Sequence, residues 1–212
     1  MAASPPYAYA RHPLLLASSS PRRSQLLRQA GYAFELISPD VEEAHDPTLT
    51  PEALTIENAR RKATAAAKRR PECLVLGADT LVYLHGEPLG KPTSLEEAAD
   101  MLRRLSGRRH EVCTGVWLAW DGGAQGSGFH VISGVVFKTL TDADIQAYHR
   151  LVNPLDKAGA YGIQEHGDKI IDHYDGSWTN IMGLPMEALS ARLPATSLPP
   201  PQTGIASLEK PG

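Results

Sequence analysis

A short apolar run that ends in three serines, a proline and two arginines constrains the fold of this 212-residue chain more than any other segment. The run predicts a buried strand, Ser20 suits a helix N-cap, and Pro21 suits the first helical position, where its missing N–H is not needed. A helix therefore begins where a strand ends, with Arg22 and Arg23 beside its free N–H groups. Such a place suits a phosphate group, although an ordinary turn with two solvated arginines has the same pattern.

Length and charge limit the classes of protein that the chain can belong to. A 212-residue chain with 42% hydrophobic content is long enough for one sizeable core. The net charge of −3 argues against a nucleic-acid polymer as the partner and leaves room for a local basic pocket. Cys73 and Cys113 lie far apart without the spacing of a zinc site or a disulfide scaffold, which fits a reducing cytoplasm.

The two ends of the chain differ in composition from its middle. We expect an N-terminal extension at 1–12, one domain at 13–193 and a flexible Pro-rich tail at 194–212. The extension lacks the apolar core of a secretory signal, and no segment approaches the roughly 20 apolar residues that span a bilayer. The sequence therefore predicts a soluble, cytoplasmic protein with no membrane partner.

Strand and helix signals alternate at first and then give way to a hairpin. The predicted strands are 34–38, 74–78, 81–84 and 169–174, with a long hairpin at 111–120 and 129–139. The predicted helices begin at Pro21, Thr50, Ser94, Thr141 and Pro185, and Ser94 is expected to open a capping box. Crossovers combined with a hairpin indicate an α/β fold with a mixed, partly antiparallel sheet.

Three kinds of charged residue could carry chemistry. Asp79 directly follows a buried apolar run, which would hold its carboxylate at the edge of the sheet, although a turn aspartate that caps backbone N–H groups has the same pattern. Glu42 and Glu43 offer a second carboxylate, and carboxylates from separate loops are typical of a site that shares Mg²⁺ with substrate phosphates, but adjacent acids are also common on solvated faces. Lys91 lies in a turn before a proline and could be a cation of the site or a solvated lysine.

The segment from Asp156 to Gln164 is rich in glycine, which lets backbone approach a ligand closely. Lys157 supplies a charge there, and Gln164 supplies an amide that can read the edge of a nucleobase because it both donates and accepts hydrogen bonds. The chain has no Walker A sequence, no Gly-x-Gly-x-x-Gly, no His-Glu-x-x-His and no Gly-x-Ser-x-Gly. These absences argue against several common nucleotide and hydrolase motifs.

Taken in order, the motifs resemble those of the Maf family of nucleoside triphosphate pyrophosphatases, also known as septum formation inhibitor proteins. The resemblance covers about Leu14 to Arg192. It is carried by Leu16-Ala17-Ser18-Ser19-Ser20-Pro21-Arg22-Arg23, Val41-Glu42-Glu43, Arg61-Lys62-Ala63, Gly77-Ala78-Asp79-Thr80, Leu89-Gly90-Lys91-Pro92, Leu105-Ser106-Gly107-Arg108, Asp156 to Gln164 and Gly183-Leu184-Pro185. Trp178 departs from the Tyr or Phe that is more common in the family.

The resemblance implies a two-lobed, ITPase-like mixed sheet with flanking helices and a central cleft, often in a homodimer. It also implies hydrolysis of a nucleoside triphosphate to the monophosphate and pyrophosphate. Arg22, Thr80 and Gln164 match the residue types of the dTTP/UTP group rather than the 7-methyl-GTP group. The expected substrates are therefore dTTP, UTP or a modified pyrimidine nucleotide.

The same resemblance assigns roles in the expected site. Asp79 is the expected catalytic residue, and Glu42 and Asp79 are the expected ligands of a divalent cation, Mg²⁺ or alternatively Mn²⁺. Asp79 would act as a general base or would only orient a metal-activated water. The expected substrate-binding residues are Ser18, Arg22, Arg23, Lys62, Thr80, Lys91, Lys157 and Gln164. The alternative functions are a nucleotide-binding regulator of cell division without catalysis, and a phosphohydrolase that releases orthophosphate.

Overall fold

A computed structural model of the chain describes residues 12–193, which fold around one mixed sheet of seven strands. The strand order is β2-β1-β3-β5-β6-β7, with β4 paired to β3. The bounds are β1 Leu14–Ala17, β2 Glu35–Ile37, β3 Leu74–Leu84, β4 Glu87–Leu89, β5 Arg109–Trp120, β6 Gln125–Phe137 and β7 Ile171–Asp175. The predicted mixed α/β sheet is confirmed, whereas the predicted extension and tail lie outside the described residues except for His12.

Helices flank both faces of this sheet. Their bounds are α1 Pro21–Gln29, α2 Pro51–Arg69, α3 Leu95–Leu105, α4 Asp142–His149, α5 Trp178–Ile181 and α6 Met186–Ser190, with 3₁₀ turns at Asp121–Gly123, Ala158–Ala160 and Gly167–Lys169. The five predicted helices are all present. The short strand β4 and the one-turn helix α5 were not predicted from the sequence, because each is too short to show a period.

The helix starts follow the predicted capping residues with two differences. Thr50 and Ser94 each accept a hydrogen bond from the backbone N–H three residues on. Ser20 occupies the N-cap of α1 with Pro21 next to it, but its side chain makes no cap bond. The predicted capping box at Ser94 is only half formed, because the Glu97 carboxylate accepts from Thr93 instead.

The strand β3 is the one that organises the cleft. It runs unbroken for 11 residues, whereas the sequence predicted two strands separated at Asp79 and Thr80. It continues because β5 pairs with it from Val75 to Tyr83. On its other edge, parallel pairing with β1 ends at Gly77 and antiparallel pairing with β4 begins at Val82. Asp79 and Thr80 therefore lie where that edge of β3 has no strand beside it.

The helix α2 packs unusually close to the sheet at two glycines. A Cβ on Gly77 would overlap the carbonyl oxygen of Ala59, and a Cβ on Gly115 would overlap the backbone at Thr55 and Ile56. Only a glycine permits such an approach of helix to strand. The close packing brings the α2 side chains within hydrogen-bond reach of Asp79.

Two cores cover the two faces of the sheet. The smaller core lies under α2 and includes Leu15, Val75 and Ala63, while the larger one includes Leu16 and Leu76 and packs under α1 and α3. Because side chains alternate along a strand, Asp79 points to the α2 side and Thr80 to the opposite side. In the described part of the chain, no helix is long and apolar enough to cross a membrane. Both cysteines are buried and free.

Candidate active site

A cleft of about 900 Å³ opens along the unpaired edge of β3, and side chains from both faces of the sheet line it. It brings together residues from the turn after β1, from α2, from β3 and from the loops after β4 and α4. The predicted site residues that line it are Ser18, Arg22, Arg23, Lys62, Asp79, Thr80, Lys91, Lys157 and Gln164. The structure thus places nine of the ten predicted site residues in one cavity large enough for a nucleotide.

The carboxylate of Asp79 is buried and held through both of its oxygens. Lys62 Nζ donates to Oδ1 at 2.6 Å, and Asn58 Nδ2 donates to Oδ2 at 3.3 Å. Lys62 and Asn58 are four residues apart on α2 and therefore share one helix face. The carboxylate is positioned by two donors, of which one carries a positive charge.

The tenth predicted residue, Glu42, is exposed and does not line the cleft, but its neighbour Glu43 does. Of these two neighbouring carboxylates, only that of Glu43 lines the cleft. Glu43 Oε1 lies 2.6 Å from Lys62 Nζ. Burial acts to raise the pKa of Glu43, but the Lys62 bond and the charges of Lys91 and Arg23 outweigh it and lower the pKa.

Asn58 also fixes the loop that carries Glu43. Its Oδ1 accepts from Ala44 N at 2.7 Å, and its Nδ2 donates to Ala44 O at 3.3 Å as well as to Asp79. One buried amide therefore joins the loop to the central strand. These hydrogen bonds hold the loop that carries Glu43 next to the strand that carries Asp79.

The carboxylates of Asp79 and Glu43 fit a divalent cation. Both lie 2.6 Å from the same ammonium nitrogen, so they already converge on one positive charge. Within residues 12–193 no group of three or more His, Cys, Asp or Glu side chains is arranged to hold a metal. Two carboxylates nevertheless suffice for Mg²⁺, which usually completes its shell with water and substrate phosphates.

The guanidinium of Arg23 is built into the wall of the cleft. Nε donates to Gly183 O at 2.8 Å, Nη1 to Ser18 Oγ at 3.2 Å and Nη2 to Thr80 Oγ1 at 3.0 Å. Burial lowers the pKa of Arg23, and the nearby Asp79 charge opposes that effect. Arg23 thus ties the turn after β1 to the strand β3 and to the loop before α6.

Arg22 and Lys91 differ from Arg23, because within residues 12–193 neither side chain forms a hydrogen bond or an ion pair, whereas the Arg23 guanidinium forms three hydrogen bonds. Both line the cleft, where the first turn of α1 also leaves backbone N–H groups without helical partners. The helix N-terminus with Arg22, together with Lys91 from the loop after β4, provides a binding place for an anion in this cleft.

Lys157 and Gln164 line the cleft from the segment after α4, which is joined to the Lys91 loop by a hydrogen bond from Gly159 N to Gly90 O at 3.0 Å. Lys157 is 2% exposed, and its Nζ contacts Asn153 O at 2.8 Å, Asp156 Oδ1 at 2.7 Å and Glu165 Oε2 at 3.0 Å. The Gln164 amide donates from Nε2 to Glu165 Oε1 at 3.1 Å, and its Oε1 is buried with no hydrogen-bond partner. The Lys157 ammonium thus has three partners within the protein, whereas the Gln164 side-chain oxygen remains available to accept a hydrogen bond.

Sequence reasoning did not single out Asn58, Thr114, Glu165 and Asn180. A signal for Asn58 was available, since Leu54, Asn58 and Lys62 repeat every four residues along one face of a predicted helix. Thr114 and Asn180 lie 66 residues apart in sequence and show no local pattern. They meet because α5 packs against β5 in the folded chain.

Comparison with known proteins finds similar sequences over most of the chain. A family described as Maf-like protein matches residues 13–196. A dTTP/UTP pyrophosphatase of Akkermansia muciniphila is 46% identical over 174 residues, which cover 82% of this chain and 91% of that protein. The dTTP/UTP pyrophosphatase of Desulfitobacterium hafniense (strain Y51) is 45% identical over 186 residues, covering 85% of this chain and 83% of its own length. The dTTP/UTP pyrophosphatase of Escherichia coli (strain K12) is 45% identical over 179 residues, which cover 82% of this chain and 87% of that protein.

Proposed function

This chain belongs to the Maf-like protein family, and we propose that it hydrolyses dTTP and UTP to the nucleoside monophosphate and pyrophosphate. One observation carries the proposal. A buried carboxylate that is held by two donors shares a nucleotide-sized cleft with cations that have no ion-pair partner in the described chain. Similarity to relatives of that name supports the choice of substrates.

The triphosphate binds between the N-terminus of α1 and Lys91. Arg22 and Lys91 neutralise it, because each close cation–phosphate pair is worth about 4 kcal/mol before desolvation at an effective dielectric constant of 20. Arg23 supports this end by holding Ser18 in place. Lys62 supplies further positive charge beside Asp79.

Asp79 and Glu43 would hold a divalent cation, Mg²⁺ or alternatively Mn²⁺. When bound, the cation supplies charge neutralisation and an activated water. Asp79 orients the water that attacks the α-phosphorus and takes up its proton. Asn58 and Lys62 keep the carboxylate in position during this step, and Lys91 offsets the charge that develops on the departing pyrophosphate.

The base and the sugar extend toward Thr80 and Gln164. Gln164 Oε1 is a buried acceptor without a partner, and leaving such an atom unpaired costs about 1–3 kcal/mol. A donor on the base relieves that cost, which supports a role for Gln164 in base reading. The proposal also includes a cytoplasmic location, which two free cysteines support, and a homodimer, which the family resemblance implies.

A product assay tests the proposed reaction. The purified chain is incubated with dTTP, UTP, CTP, ATP, GTP and modified pyrimidine triphosphates in the presence of Mg²⁺, and pyrophosphate and orthophosphate are scored separately. We expect pyrophosphate from dTTP and UTP and none after chelation with EDTA. Orthophosphate as the direct product would indicate a different phosphohydrolase. Nucleotide binding without release of either product would favour the non-catalytic regulator.

A further inference from the structure

We propose that Thr114, a buried residue outside the cleft, fixes the hydroxyl of Thr80 as a hydrogen-bond acceptor toward the substrate and thereby favours bases that carry an imide N–H. Thr114 is 0% exposed and lies opposite Thr80 in the pairing of β5 with β3. The inference deepens the proposed function and rests on it. It concerns the choice of base and not the hydrolytic step.

The number of hydroxyl protons decides the direction of these hydrogen bonds. A threonine hydroxyl has one proton to donate and two lone pairs to accept with. Thr114 Oγ1 donates its proton to the backbone carbonyl of Asn180 at 3.2 Å. The two threonine hydroxyl oxygens lie 3.0 Å apart. Because the Thr114 hydroxyl already donates to Asn180 O, Thr80 is the donor in the hydrogen bond between the two threonines.

The acceptor of the Thr114 proton is itself held in place. Asn180 O also accepts from Gly183 N at 2.9 Å. The Asn180 side chain donates from Nδ2 to Val112 O at 3.0 Å and to Ser133 Oγ at 2.9 Å. This carbonyl therefore stays beside Thr114, and the direction of the proton is set by backbone geometry.

On its other side, Thr80 Oγ1 accepts a hydrogen bond from Arg23 Nη2 at 3.0 Å. The second acceptor near its proton, Gly183 O at 3.4 Å, is already bound by Arg23 Nε at 2.8 Å. Whether the Thr80 hydroxyl donates to Thr114 Oγ1 or to Gly183 O, its proton points into the protein and away from the cleft. The Thr80 hydroxyl can therefore offer only its remaining lone pair to the cleft.

A lone pair of Thr80 Oγ1 that faces the cleft can distinguish uracil and thymine from cytosine. Uracil and thymine carry an N–H at N3, whereas cytosine presents a lone pair at N3. Thr80 is half-buried and lines the cleft, so a base in the cleft can meet it. An acceptor there gains a hydrogen bond from uracil or thymine and faces lone-pair repulsion from cytosine.

The test compares Thr114→Val with Thr114→Ser in the full chain. Valine has nearly the same shape but no hydroxyl, so Thr80 loses the nearer of its two acceptors in the protein, keeps only the longer contact to Gly183 O, and can turn its proton toward the cleft. Serine keeps the hydroxyl and serves as the matched control. The measurement is kcat/KM for pyrophosphate release from UTP and from CTP, with circular dichroism and thermal melting as the check on folding.

We expect Thr114→Val to lower the UTP-to-CTP ratio of kcat/KM about tenfold, the size typical of one hydrogen bond, and Thr114→Ser to restore it. An equal loss on both nucleotides would show a merely structural role and overturn the inference. A changed preference for dTTP over its 3′-deoxy analogue, with the base ratio unchanged, would assign the lone pair to the sugar hydroxyl and also overturn it. Absence of pyrophosphate release from the wild-type chain would instead defeat the proposed function.

If Thr114→Val unfolds the chain, Asn180→Asp offers a second measurement. That change keeps a backbone carbonyl at residue 180 but removes the Nδ2 donor that ties the residue to Val112 and Ser133. We expect it to lower the same ratio through displacement of the carbonyl. An unchanged ratio in a folded Asn180→Asp chain would contradict the inference.

Discussion

Lys62 Nζ lies 2.6 Å from Asp79 Oδ1, with both side chains at most 10% exposed. A buried carboxylate without a partner would be strongly destabilising, so this ion pair offsets the cost of burying Asp79. The same nitrogen lies 2.6 Å from Glu43 Oε1 and therefore joins the central strand to a loop. The Lys62 ammonium group therefore contributes both to the position of the catalytic carboxylate and to the stability of the fold around it.

We expect Asp79→Asn to lower kcat for pyrophosphate release by at least about 100-fold, the usual effect of losing a general base. The chain should stay folded, because Lys62 retains Glu43 as a partner and asparagine has the same shape. Steady-state kinetics with UTP and a thermal melt measure both effects. Asp100→Asn, on the exposed face of α3 next to Arg103, is the control and should leave kcat unchanged. Near-wild-type turnover in Asp79→Asn would remove Asp79 from the mechanism.

Lys62→Met should change the dependence on Mg²⁺ as well as the rate. The ammonium competes with a divalent cation for the oxygens of Asp79 and Glu43, so its removal should raise the apparent affinity for Mg²⁺ about tenfold or more. Turnover should fall because a positive charge beside the phosphates is lost. A Mg²⁺ titration of activity measures the first effect. Lys68→Met, an exposed change on the same helix, should leave the titration where it is in the wild type.

The sequence predicted the local features of the site better than its long-range ones. Ser20 and Pro21 correctly marked the start of α1, because an N-cap and a first-turn proline are local signals. The continuity of β3 was not predicted, because two polar residues after an apolar run resemble the end of a strand. Pairing with β5 along the whole length keeps that strand regular.

Two further features depend on distant contacts. Which of Glu42 and Glu43 faces the cleft is decided by the bond between Ala44 and Asn58, 14 residues away in sequence. The polar chain from Arg23 through Thr80 to Thr114 joins α1, β3 and β5. Neither arrangement has a spacing that a single sequence could reveal, because side-chain hydrogen bonds between elements follow from tertiary packing.

Gln164→Glu should change base preference more than turnover on the preferred nucleotide. The new carboxylate would face Glu165, which now accepts from the Gln164 amide at 3.1 Å, and the like charges would repel each other. The side chain would then turn from its present position and lose its contact with the base. Relative kcat/KM values for dTTP, UTP, CTP and GTP measure the effect. An unchanged substrate profile would refute the base-reading role of Gln164.

Gly115→Ala should destabilise the chain by about 1–3 kcal/mol or more, the range typical of overpacking. A Cβ at this position would overlap the α2 backbone at Thr55 and Ile56, which is not the flexible end of a side chain. The shift of α2 should also lower turnover, because α2 carries Asn58 and Lys62. Urea unfolding measures the stability. Gly90→Ala, where a Cβ meets nothing within 4 Å, should change it by no more than about 0.5 kcal/mol.

The buried His110 should make the fold sensitive to acid. Burial, with a smaller effect of the Arg109 charge, lowers the pKa of His110 from 6.5 to about 4. Between these pH values the unfolded chain binds a proton that the folded chain excludes, so the free energy of unfolding falls as the pH drops from 6.5 toward 4. The full difference is worth about 3 kcal/mol, and none of it is lost above pH 7.

His110→Gln isolates this contribution, because glutamine can keep a hydrogen bond to Tyr161 Oη, which now lies 2.7 Å from His110 Nε2, but cannot take up a proton in this range. Its absolute stability at pH 7 should be lower, since the edge contact of the His110 ring with Phe137 is lost. Its stability should nevertheless fall less steeply between pH 6.5 and pH 4 than that of the wild type. Urea unfolding at four pH values in this interval provides the comparison, with the exposed His130→Gln as the matched control. Parallel curves for His110→Gln and the wild type would show that acid sensitivity arises elsewhere in the chain.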